Sequence, residues 1–149
     1  MAGEVRLAIA SDADLVQARA AARALAGELG FSRTDATLIA TAISEIARNM
    51  VVHADGGEIV LVPTSDDLRS GVEVIARDSG PGIDDVERAL QEGSGTGDGL
   101  GLGLPGARRV MDEFEIGAND GRGTVVRMRK WRVRDELERL REGRLNGYG

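Results

Sequence analysis

The chain contains no cysteine, which excludes disulfide staples and thiolate metal sites and fits a reducing compartment. Lysine and histidine occur once each, as Lys130 and His53. Their scarcity excludes the phosphate-gripping lysine of a P-loop, the strand lysine and His-Arg-Asp loop of eukaryotic-type protein kinases, and a histidine-rich zinc site. Aromatic residues make up only 3% and the formal net charge is -6, the opposite of the basic, stacking surface that nucleic acid requires. No apolar run is long enough to span a membrane, and the N-terminal MAGEV lacks the basic and apolar regions of a signal peptide. A soluble, cytoplasmic protein is therefore expected, its 149 residues sufficing to bury a core without cross-links. Its chemistry must come from carboxylates, amides, arginines and backbone.

Glycine, by contrast, is abundant, with 21 residues, many of them between positions 79 and 103. The alternation of residues 4–10, EVRLAIA, predicts a strand. Ser11 with Asp14, and Ser32 with Asp35, have capping-box spacing and open two helices; the first runs to Gly30 and the second to the Asp55-Gly56-Gly57 turn. EIVLVP and GVEVIARD predict two strands joined by the polar loop TSDDLRS. Residues 79–103 predict mostly a long loop with a short helix from Asp84 to Gln91. LPGARRVMDEF predicts a helix with Pro105 near its first turn, and FEIGA with GTVVRMRKW a closing hairpin. Together they predict an α+β, two-layer sandwich over residues 1–131, with helices on one face of a mostly antiparallel mixed sheet. Residues 132–149 predict a charged tail, helical to Arg141 and then frayed. Its stripe of Val133, Leu137 and Leu140 would dock a partner, pack on the sheet or remain solvated.

The second helix raises the functional question. Ile39, Ile43, Ile46 and Met50 recur at the spacing of a buried stripe, while Glu45 and Asn49, four residues apart and so neighbours on one face, border it. A partly buried carboxylate needs a reason. In VEVIARD the core-facing set Val72, Val74, Ala76 ends in Asp78, an acceptor suited to the exocyclic amine of an adenine at a pocket floor. Gly80 and Gly82 in DSGPG allow a tight turn past a ligand. Thr124 opens the last strand on the same side as Val126 and Met128, its hydroxyl placed to support Asp78 or the base. In the run Gly99-Leu100-Gly101-Leu102-Gly103, glycines leading into a helix start offer N-H groups and a positive helix end to phosphate oxygens. Asn49 offers one carbonyl oxygen to a magnesium ion otherwise held by ATP phosphates and water. Glu45 is then placed as general base for an attacking hydroxyl. Taken singly, each feature has a plain structural reading: a flexible glycine loop, an ordinary turn, a solvated helix edge. His53 reads first as a helix-end residue, two turns from Glu45 and placed to line the pocket; Arg108 and Arg109 read as surface charges unless one reaches the γ-phosphate. Their joint order along the chain favours a Mg-ATP site.

That ordered set resembles the GHKL ATPase superfamily, whose nucleotide fold is the Bergerat type. Glu45 and Asn49 match its N box, Asp78 to Gly82 its D-x-G-x-G box, and Gly99 to Gly103 its G-x-G-x-G box. Within the superfamily, TAISEIARNM, ARDSGPGI, GLGLGLPGARRVMDEFEI and GTVVRMRKW are similar to the serine/threonine switch kinases of bacterial partner-switching systems, over residues 4–131. The resemblance implies a kinase that phosphorylates a STAS-domain antagonist or scaffold protein and, once released, activates a PP2C-type phosphatase. It also implies that Asn49 holds Mg2+, that Asp78 holds the adenine of ATP, and that the glycines serve the nucleotide and lid. Anti-sigma factor kinases share these boxes, so sequestration of a sigma factor and a nucleotide-gated binding switch with little transfer stay open, as does a homodimer. The chaperone and topoisomerase branches are not expected, since no transducer domain follows.

Overall fold

The computed structural model describes residues 3–80, 103–118 and 123–133, together with 135, 137 and 140. Capping sets where both long helices begin. In helix α1, Asp12–Glu28, the Asp14 carboxylate accepts from the backbone N-H groups of Ala10 and Ser11 at 2.8 and 3.1 Å. In helix α2, Arg33–Ala54, the Ser32 hydroxyl accepts from Asp35 N-H at 3.1 Å. Each cap satisfies N-H groups that the first helical turn leaves without partners. Alanines Ala18, Ala22 and Ala26 of α1 and Ala36, Ala40 and Ala47 of α2 are buried, which lets the two helix backbones approach closely. Buried Ser44 is satisfied between them, donating to Ala40 O at 2.9 Å and accepting from Arg19 Nε at 3.0 Å.

Strands β1 (Val5–Ile9), β2 (Gly57–Ser65), β3 (Arg69–Asp78), β4 (Glu113–Ala118) and β5 (Thr124–Val133) form one sheet in the order β1-β2-β3-β5-β4, and all the described pairs are antiparallel. A third helix, α3, spans Gly103–Val110. The helices cover one face, where Ile39, Ile43, Ile46 and Met50 of α2 share a core with Ile59, Leu61, Val72, Val74, Ala76, Val126 and Met128 of the sheet. The period-2 alternation of β3 puts Arg77 on the other face and leaves Asp78 at the end of the core-facing row.

Three segments differ from the sequence expectation. The loop TSDDLRS is mostly strand: β2 runs through Ser65 and β3 starts at Arg69, because Asp66 folds the intervening turn by accepting from Leu68 and Arg69 N-H at 3.0 and 2.7 Å. The helix expected to reach Phe114 stops at Val110, and β4 takes Glu113 onward, with Phe114 pairing with Met128 on the apolar face. Strand β5 continues past Trp131 to Val133, and Arg132 Nε donates to Leu29 O at 2.7 Å, capping the carbonyl end of α1. Val133, Leu137 and Leu140 are exposed rather than packed on the sheet. The short helix expected at 84–91 lies outside the described residues.

Candidate active site

The residues singled out on α2 sit as the helical wheel requires. Ile39, Ile43, Ile46 and Met50 are buried, while Glu45 and Asn49 are half-buried at the border of that stripe. The helix ends at Ala54, with Asp55 in the left-handed region and Gly56 N-H returning to Met50 O at 2.8 Å. Exposed His53 belongs to this last turn.

Asp78 closes β3, opposite Gly57 on the β2 ladder. Half-buried, its Oδ1 accepts from Gly80 N-H at 3.0 Å and from Thr124 N-H at 3.2 Å. Two backbone donors on one oxygen fix the orientation of the carboxylate. Thr124 therefore supports Asp78 as expected, but through its backbone N-H; its side chain is buried.

Two glycines hold this arrangement together. Gly80 is where the turn after β3 meets the end of α2: a methyl group there would stand 2.5 Å from Ala54 Cβ. That contact ties the helix carrying Glu45 and Asn49 to the turn carrying Asp78. Gly123 has φ +94, and a Cβ would lie only 2.0 Å from the Asp78 carbonyl oxygen, so only glycine fits. Sequence reasoning missed Gly123; the Gly-Thr pair opening a strand after a glycine-rich turn was the available signal. Gly103 starts α3, with Leu104, Pro105 and Ala107 buried and Arg108 and Arg109 exposed on its last turn. Gly82, Gly99, Leu100, Gly101 and Leu102 lie outside the described residues.

Among the described residues no group of three or more histidine, aspartate and glutamate side chains stands ready for a metal. Half-buried Asn49 carries an amide oxygen, a donor of the kind that a hard cation such as magnesium accepts. An acid and an amide on the second helix, a backbone-fixed aspartate at a strand end and a glycine-led third helix are thus carried on one two-layer α+β domain.

Known proteins place it further. Residues 9–130 match the family described as the histidine kinase-like ATPase domain, and the chain belongs to that family. It is 43% identical over 123 residues to the serine/threonine-protein kinase RsbT of Bacillus subtilis, covering 83% of this chain and 92% of that one. It is 34% identical over 120 residues to the anti-sigma F factor of Caldanaerobacter subterraneus, covering 76% and 82%. Among solved structures, the RsbU and RsbW domains of a Mycobacterium tuberculosis protein superpose with a TM-score of 0.62 at 21% identity, over 89% of this chain and 33% of that longer one. The mycobacterial sensor histidine kinase MprB superposes at 0.50 and 13% identity, over 88% and 98%; these two likenesses speak to the fold. No described helix is long and apolar enough to cross a membrane.

Proposed function

We propose that the chain is an ATP-dependent protein serine/threonine kinase of a partner-switching pathway. The observation that carries this is the Asp78 carboxylate, pinned by Gly80 and Thr124 N-H at the end of the strand that α2 packs against. A fixed, half-buried acceptor selects a ligand that brings a donor, and the exocyclic amine of adenine is one. The 43% identity to a serine/threonine-protein kinase over nearly its full length supports the same reading.

In this proposal Glu45 accepts the proton of the attacking serine or threonine hydroxyl, as its place one turn from Asn49 allows. Asn49 holds Mg2+ through its side-chain oxygen. When bound, that ion neutralises charge on the transferred phosphoryl group. The N-terminus of α3 at Gly103 directs its partial positive charge at the phosphates, and Gly80 turns the chain beside the nucleotide, with His53 at the pocket edge. The substrate is a STAS-domain antagonist or scaffold protein, and the released kinase activates a PP2C-type phosphatase. A second reading, in which the chain sequesters a sigma factor, is favoured by the 34% identity to an anti-sigma F factor.

Incubation with γ-labelled ATP, magnesium and the STAS-domain proteins of the same genome tests this directly. Label is expected on one of them with the wild type, and transfer with Glu45→Ala should fall by a factor on the order of 10²–10⁴ while ATP affinity is kept. Asp78→Asn should keep the fold, since an amide oxygen still accepts from both N-H groups, and weaken ATP binding about 10- to 100-fold. Undiminished transfer by Glu45→Ala would remove Glu45 from the base role. ATP binding and a stable sigma-factor complex without any transfer would favour the second reading.

A further inference from the structure

The helix-free face of the sheet carries many charges, most of them paired with one another. Arg129 reaches Glu73 at 2.6 Å and Glu113 at 3.3 Å, and Arg6 reaches Glu4 at 2.9 Å and Glu58 at 3.4 Å. Arg69 reaches Asp66 at 2.9 Å and lies over the Trp131 ring at 4.1 Å. Arg77 and Arg127 break this pattern. Both are exposed, and among the described residues neither guanidinium has a hydrogen bond or ion pair.

Their placement is not random. Arg77 faces Val125 across the β3–β5 ladder and Ile75 faces Arg127, so the two arginines are diagonal neighbours on one side of the sheet, within reach of a common ligand. With Val125, Glu115 and Gly117 they line a groove of about 370 Å³. Gly117 stands opposite Val125, and its missing side chain opens the groove, since a methyl there would meet nothing within 4 Å. Glu115 stands opposite Arg127 without pairing with it, and Glu58, opposite Arg77, reaches Arg6 instead, so the groove lining itself holds two cations and one carboxylate in a chain of net charge -6. A guanidinium left in solvent presents a planar fork of donors that matches a carboxylate.

We propose that this groove docks a short acidic segment of a partner protein, its carboxylates on Arg77 and Arg127 and a small side chain over Val125 and Gly117. Nucleic acid is the wrong occupant, because Glu58, Glu73, Glu113 and Glu115 share this face and repel a long polyanion. The groove opens away from the helix-covered face on which Glu45 and Asp78 lie. It is a second recognition surface, and its occupancy does not require the kinase assignment.

An NMR titration of the full ¹⁵N-labelled chain tests it, with a capped peptide of alternating Glu and Ala as probe and its Gln-Ala counterpart and inorganic phosphate as controls. Shifts are expected to cluster at Arg77, Gly117, Val125 and Arg127 and to shrink with added salt. Arg77→Gln combined with Arg127→Gln should lower the affinity by about tenfold, the scale of two exposed charge-assisted bonds. Gly117→Val should abolish the clustered shifts by filling the groove. All three positions are solvated surface, so the variants keep a dispersed spectrum. Equal shifts with the Gln-Ala peptide, equal occupancy by phosphate alone, or clustered shifts that survive both sets of substitutions would overturn the proposal.

Discussion

The two faces of the sheet are built from the same strands and do different work. On the helix side, β3 and β5 present Val72, Val74, Ala76, Val126 and Met128, all buried, and these rows end in Asp78 and Thr124. On the open side, the alternate residues Glu73, Arg77, Arg127 and Arg129 meet solvent. Burial concentrates stability on the first face, and two backbone N-H groups fix the half-buried carboxylate at its end. Exposure dilutes each ion pair on the second, where Coulomb attraction is screened and side-chain entropy opposes it. The open face can therefore vary its charges at little cost to folding, and among the described residues two of its arginines, Arg77 and Arg127, have no hydrogen bond or ion pair.

Truncation on each side should expose this difference most strongly. Met128→Ala, at a fully buried position, is expected to lower unfolding free energy by about 2–5 kcal/mol in urea denaturation, whereas Arg129→Gln should cost no more than about 1 kcal/mol despite two ion pairs. Comparable losses would mean that the open face is held by an ionic network rather than merely solvated. Gly123→Ala, which drives a methyl into the Asp78 carbonyl, is expected to cost about 1–3 kcal/mol through backbone strain alone. It should also weaken ATP binding because Thr124 N-H moves with it. Wild-type ATP affinity in that variant would separate the Thr124 bond from the site.

The smallest effect is one of pH on the open face. The Trp131 indole N-H donates to Glu113, which, with Arg129 nearby, holds the Glu113 carboxyl below its ordinary value of 4.5. Since the folded-state value is depressed, the contact contributes above that ordinary value and is lost as pH falls through the lower, folded one. Trp131 is the only tryptophan, so its fluorescence should titrate with a midpoint below 4.5 and lose that transition in Glu113→Gln. A midpoint at or above the ordinary value would deny the contact any hold on the carboxylate.

Much of this was legible in the chain. The Ser32–Asp35 spacing marked the start of α2, and its isoleucine stripe placed Glu45 and Asn49 at the border of the core. The alternation in VEVIARD put Asp78 on the buried face. Less legible were the elements decided by contacts from elsewhere. The β2–β3 turn looked like a seven-residue polar loop because its outer residues are polar while their ladder partners on β3 and β5 are distant in the chain or across the turn, and Asp66 closes the turn through backbone bonds that no periodicity reports. Helix α3 gave way to β4 because Phe114 gains a cross-strand partner in Met128. The role of Gly123 depended on a carbonyl 45 positions earlier.

What the sequence determined by itself was periodic and local: which residues of α2, β3 and β5 turn inward, where the helices are capped, and which few side chains are left for chemistry. These follow from fixed repeats of backbone geometry and from hydrogen bonds between near neighbours. The tertiary structure alone decided that Thr124 holds Asp78 by its backbone, that Gly80 locks α2 to the strand end, that Arg132 caps α1, and that Arg77 and Arg127 share one groove. Each of these joins residues distant in the chain, and the sheet order and register that bring them together come from packing the whole core at once.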